Sequence, residues 1–122
     1  MLEKIISYNG ATITIRRATV RARLRTTLVY NKIGLPEAMG EDWLFMQAFA
    51  RFITQATVEG DLGFRVPSLA DDDETFLAGY EAFLNADVEF YDLVNAALLE
   101  VNRSPGDPDL EPGAESSKKK TT

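Results

Sequence analysis

The chain has 122 residues, of which 45% are hydrophobic and 26% charged, with a formal net charge of −6. That length suits one modest core and excludes a multidomain enzyme. Cys and His are both absent, which removes disulfides, thiolate nucleophiles, Cys/His zinc sites and imidazole-based triads together. With no Gly-rich phosphate loop either, binding or assembly ranks ahead of catalysis, and neither a metal nor a cofactor is expected.

The lack of thiols leaves the redox compartment open. Met1 to Gly10 carries no apolar core of a secretory signal, and no run approaches the roughly 20 apolar residues of a membrane span. A soluble, cytoplasmic protein is the resulting expectation.

The first elements read as a β-hairpin over about residues 2–16, turning at Asn9-Gly10, where both central positions of a two-residue turn need positive φ. Its register follows from the turn. Tyr8 then opposes Ala11, Ile6 opposes Ile13 and Lys4 opposes Ile15 on one face. Ser7 with Thr12, Ile5 with Thr14, and the ion pair Glu3 with Arg16 form the other. An isolated hairpin is marginal in water, so helices of the same chain or a sheet in another subunit should cover it.

Ala18 to Ile33 reads as a helix with Val20, Leu24 and Leu28 on one side. Arg17, Arg21 and Arg25 share that spacing, and like charges four apart weaken a helix, so something negative should face them. Gly34, Leu35 and Pro36 end the pattern. Charge is bipolar along the chain: seven bases and no acid lie from Lys4 to Pro36, then fourteen acids against Arg51 and Arg65 from Glu37 to Asn102. The net acidity disfavours nucleic acid as the partner of the arginines. Contact with Asp72 and Asp73, in the same chain or a neighbouring subunit, is expected instead.

Glu41 to Thr57 reads as a helix whose apolar arc, with Trp43, Phe45, Met46, Phe49, Phe52, Ile53 and Ala56, spans about 180°. A helix lying on its own core needs little over about 100°. The surplus makes Trp43, Phe45, Met46, Phe49 and Phe52 candidate partner-binding residues. Val58 to Ala70 reads as a loop with Phe64 tucked inward.

The run Asp71, Asp72, Asp73, Glu74 suits the start of a helix, where carboxylates cap and complement the dipole. Metal binding by this run is disfavoured because neighbouring helical side chains diverge. Glu74 to Leu84 is amphipathic through Phe76, Leu77, Tyr80, Phe83 and Leu84. After Asn85 and a cap at Asp87, the helix to Asn102 carries Phe90, Tyr91, Val94, Ala97, Leu98 and Val101 on one side. The short link suggests an antiparallel helical hairpin. Residues 103–122, with Pro105, Pro108 and Pro112, are too poor in apolar side chains to offset the entropy of ordering and read as a disordered tail ending in Lys118, Lys119 and Lys120. The fold class is therefore mainly α, of the α+β kind: residues 1–102 form one domain in which an N-terminal β-hairpin precedes a bundle of about four helices.

This order of elements, with the stretch from Phe83 through Asp87, Tyr91 and Leu93 to Val101-Asn102 before a Pro-rich acidic tail, resembles the tail assembly chaperones of long-tailed, siphovirus-like bacteriophages. The resemblance covers most of residues 1–102. It implies a non-enzymatic protein of the host cytoplasm that coats the helical tape measure protein before the tail tube polymerises. The implied partners are the tape measure protein, the tail tube protein, further copies of the chain, and a longer form made by ribosomal frameshifting; an A-rich slippery run encoding Lys118 to Lys120 would fit the last. Two other readings compete: a structural tail or connector protein of the virion whose hairpin joins a neighbour's sheet, and a small nucleic-acid-binding regulator using Arg17, Arg21 and Arg25. An enzyme is least supported, since no converging nucleophile, base and oxyanion donor can be named.

Overall fold

The computed structural model describes residues 2–34 and 43–103. They form the expected α+β architecture: strands β1 (Glu3–Tyr8), β2 (Ala11–Arg16) and β3 (Ala56–Glu59), and helices α1 (Val20–Ile33), α2 (Trp43–Gln55), α3 (Asp73–Leu84) and α4 (Val88–Asn102). The readings of Leu35-Pro36 as a helix stop, of Glu41 and Asp42 as helical, and of residues 104–122 as a disordered tail ending in Lys118 to Lys120 fall outside the described residues. No helix among those described is long and apolar enough to cross a membrane.

The hairpin forms in the expected register, from Glu3 opposite Arg16 to Tyr8 opposite Ala11. Asn9 and Gly10 both take positive φ, 52° and 83°, as a two-residue turn matched to strand twist requires. Ala11, Ile13 and Ile15 are buried on one face while Glu3, Ile5 and Ser7 stay exposed on the other. The cover comes from this chain. Helices pack on the buried face, and β3 adds to β2 antiparallel, Ile13 opposing Val58 and Ile15 opposing Ala56. This corrects the reading of Ala56 and Thr57 as helical and of Val58 to Ala70 as all loop. Alternating Ala-Thr-Val-Glu suits a half-buried strand, and α2 ends at Gln55 so that the sheet can gain its third strand.

Helix boundaries follow capping chemistry. Thr19 Oγ1 accepts from the Ala22 amide at 3.1 Å, and Gly34, with φ 102°, closes α1 by donating its amide to Tyr30 O at 3.1 Å. Asp72 caps α3 by accepting from the Thr75 amide at 2.8 Å, which holds its carboxyl below the usual range. Asp87 caps α4 through the Glu89 amide at 2.8 Å.

The core gathers around α2. Phe49 meets Phe76, Tyr80 and Phe83 with ring centroids 5.8, 4.9 and 5.3 Å away, and Phe52 meets Phe83 and Phe90 at 5.9 and 5.6 Å. Phe64 folds inward against Phe90 at 5.7 Å, as its sequence context suggested. The expected antiparallel hairpin of α3 and α4 takes another form. The two helices touch through Phe83 and Phe90 beside their link, their backbones make few close approaches, and their apolar faces are directed at α2 and the sheet. Gly79 on α3 lies against Pro67, where a Cβ would stand 2.5 Å from the Pro67 ring.

A polar knot ties the ends of three elements. Gln55 Nε2 donates to Arg16 O and to Asn102 Oδ1, both at 2.9 Å, and the same Asn102 oxygen accepts from the Ala18 amide at 3.0 Å. Arg17 Nη1 donates to the carbonyls of Val101 and Arg103 at 3.2 and 2.6 Å, a cation set at the carbonyl end of α4.

Candidate functional site

The five aromatic and sulfur-bearing candidates of α2 divide. Met46, Phe49 and Phe52 are sealed in the core, so their assignment to partner binding is corrected. Trp43 is half-buried, its ring 5.3 Å from that of Tyr30. Phe45 remains 43% exposed. The surplus arc has a structural cause: α2 runs through the middle of the domain, with α1, α3, α4 and the sheet around it. Even its polar side is engaged. Thr54 Oγ1 meets Thr26 Oγ1 of α1 at 3.1 Å, and Gln55 enters the knot. A helix apolar over most of its circumference belongs at the centre of a domain, and here that accounts for all but its first turn.

Phe45 opens onto an apolar groove of about 300 Å³ lined also by Phe83, Leu84, Ala86, Val88 and Tyr91. Its ring lies 5.1 Å from that of Tyr91 at a tilt of 55°. Val88 on the far side is 68% exposed. The groove exists because α3 stops at Leu84, and the turn through Asn85 and Ala86 brings the first turn of α4 alongside the first turn of α2. Its floor is tied to the core, since Phe83 also belongs to the Phe49 cluster. Chemically it can take up aliphatic or aromatic side chains and little else. Val88, Leu84 and Ala86 were not singled out from sequence as binding residues. The signal for Val88 was an apolar residue directly after the Asp87 cap, off the core-facing arc of α4.

A second apolar surface lies on α1. Val20, Leu24 and Leu28 are 89, 62 and 47% exposed, and the buried face of α1 consists of Ala22, Thr26 and Val29. Small residues win that face because Thr26, bonded to Ala22 O at 2.9 Å and to Thr54, lets α1 approach α2 closely. Burying the leucines would drag Arg21 and Arg25 towards the interior, at a desolvation cost that three aliphatic side chains do not offset.

The charged candidates also divide. Arg17 sits on the α4 carbonyls, as described above. Arg21 and Arg25 are exposed and make no ion pair among the described residues. Asp72 is a helix cap. Asp73 pairs with Lys32 of α1 at 3.0 Å, so the basic segment does meet the acidic run within one chain, though through Lys32 and not the expected arginines. Lys32 also lies 5.4 Å from the centre of the Phe76 ring. Asp71 turns back to Arg65, whose two guanidinium bonds at 2.8 and 3.0 Å, with the Ser68 amide, lower its carboxyl to about 2. Among the described residues no group of three His, Cys, Asp or Glu could hold a metal. A polar depression of about 390 Å³ between α1, α2 and residues 67–70 places Arg25 near Thr54 and Ser68 without a nucleophile and base in contact.

Comparison with protein-family models, with curated proteins and with solved structures finds no match to this chain.

Proposed function

We propose that the protein is a tail assembly chaperone of a long-tailed bacteriophage, acting in the host cytoplasm to keep the tape measure protein soluble until the tail tube polymerises around it. The observation that carries this reading is the groove of Phe45, Tyr91 and Val88, an apolar recess on an acidic body. A long tape measure helix presents apolar side chains that associate unless covered, and such a recess takes them one cluster at a time. The small contact suits a coat that must later be shed, because affinity stays modest when few side chains are desolvated. The net charge of −6 keeps the loaded complex dispersed. The layout likeness to such chaperones supports the same reading. The tail tube protein and a longer, frameshifted form of the chain are the further partners it implies.

The test is co-expression with the tape measure protein of the same phage. Wild-type chain should keep that protein in the soluble fraction. Phe45→Asp and Val88→Asp, each with an unchanged circular dichroism spectrum, should leave at least about tenfold less of it soluble. Folded variants that protect it as well as the wild type would refute the assignment.

A further inference from the structure

Two helix faces are uncovered, and they are opposite in charge. On α1 the exposed stripe of Val20, Leu24 and Leu28 is bordered on one side by Arg21 and Arg25. On α4 the exposed arc carries Leu93, Ala96 and Leu99 interleaved with Glu89 and Asp92. The first arc, with its arginines, spans about 140° of its helix and the second about 120°. Neither is covered by the other described residues. α1 packs on α2 while α4 packs on β1, β2 and α2, and neither Glu89 nor Asp92 makes an ion pair among the described residues.

We infer that the α1 face of one molecule docks on the α4 face of a second copy, aliphatic stripe on aliphatic stripe, with Arg21 and Arg25 opposite Glu89 and Asp92. A symmetric alternative pairing α1 with α1 is opposed by charge, because the exposed face of α1 carries Arg21 and Arg25 and no acid. Pairing α4 with α4 is opposed in the same way by Glu89 and Asp92, while Glu100 is already paired with Lys4 at 3.1 Å. Only the unlike pair is complementary in both charge and apolar pattern. The contact is therefore heterologous: each copy keeps one free face, and association continues beyond a pair. It uses no residue of the Phe45 groove, so it stands or falls independently of tape measure binding.

The experiment is sedimentation of the full chain across concentration, with two charge-reversed variants. Wild-type protein should associate at high micromolar concentration and loosen as salt rises from about 0.05 to 0.5 M. Arg21→Glu/Arg25→Glu alone and Glu89→Arg/Asp92→Arg alone should each associate at least about tenfold more weakly. An equimolar mixture of the two should recover wild-type association, since the acidic α1 of one then meets the basic α4 of the other. Leu24→Gln/Leu28→Gln should weaken association without changing charge, at surface positions that leave folding intact. Four results would each overturn the inference. One is wild-type protein that stays monomeric to about 1 mM. Another is a variant pair whose mixture fails to recover, and a third is a single charge-reversed variant that associates like the wild type. The last is a monomeric wild type that binds duplex DNA with steep salt dependence, which would reassign the arginines to phosphates.

Discussion

Phe45 and Phe49 lie four residues apart on one helix and have different fates. Phe49 is enclosed by Phe76, Tyr80 and Phe83, whereas Phe45 stands at the rim beside Tyr91. Truncating an enclosed phenylalanine removes its transfer free energy and leaves a cavity, so Phe49→Ala should lower stability by about 3–5 kcal/mol. Phe45→Ala should cost about 1 kcal/mol or less, because its ring is nearly half in water already. Urea denaturation of the two variants checks the difference; equal losses would contradict the division of α2 drawn here. Phe49→Asp is thus a folding variant and cannot report on partner binding. The sequence identified every one of these side chains as apolar and helical. It could not tell rim from centre, because that depends on how many neighbours surround a helix, and the neighbours come from other segments of the chain, Phe76, Tyr80 and Phe83 among them.

Elements were recoverable where local chemistry decides them. The hairpin register came from Asn9-Gly10, and the starts of α3 and α4 from Asp72 and Asp87. β3 was not recoverable, because Ala56 to Glu59 is too short to be told from the end of α2 without the β2 edge that receives it. The facing of α1 was not legible, because its leucines are the more hydrophobic choice, yet Ala22 and Thr26 permit the closer helix contact. The segment entering α3 is fastened by Asp71, which bonds Arg65 and the Ser68 amide. Its folded carboxyl titrates at about 2, below the ordinary 3.8. The stabilisation is therefore complete above pH about 4 and is lost as the pH falls through about 2. Asp71→Asn should flatten the acid dependence of stability in that window. Urea melts of both proteins from pH 2 to 5 measure it, and parallel curves would remove Asp71 from the account.

The knot of Gln55, Asn102 and Arg17 joins the ends of β2, α2 and α4, and sequence reading passed over it because its partners lie 39 or more residues apart. Asn102→Ala would leave the Ala18 amide and the Gln55 amide group short of an acceptor in a partly buried place, a cost of about 1–3 kcal/mol. The loss should be the same by Trp43 fluorescence and by far-ultraviolet circular dichroism, as expected of a single transition. Two separated transitions would show that the hairpin and the helices unfold apart. The same knot joins parts of the chain far apart in sequence. Arg17 holds the carbonyl of Arg103 at 2.6 Å, so the last turn of α4 is anchored beside the start of α1, and Arg17→Ala would loosen both at once.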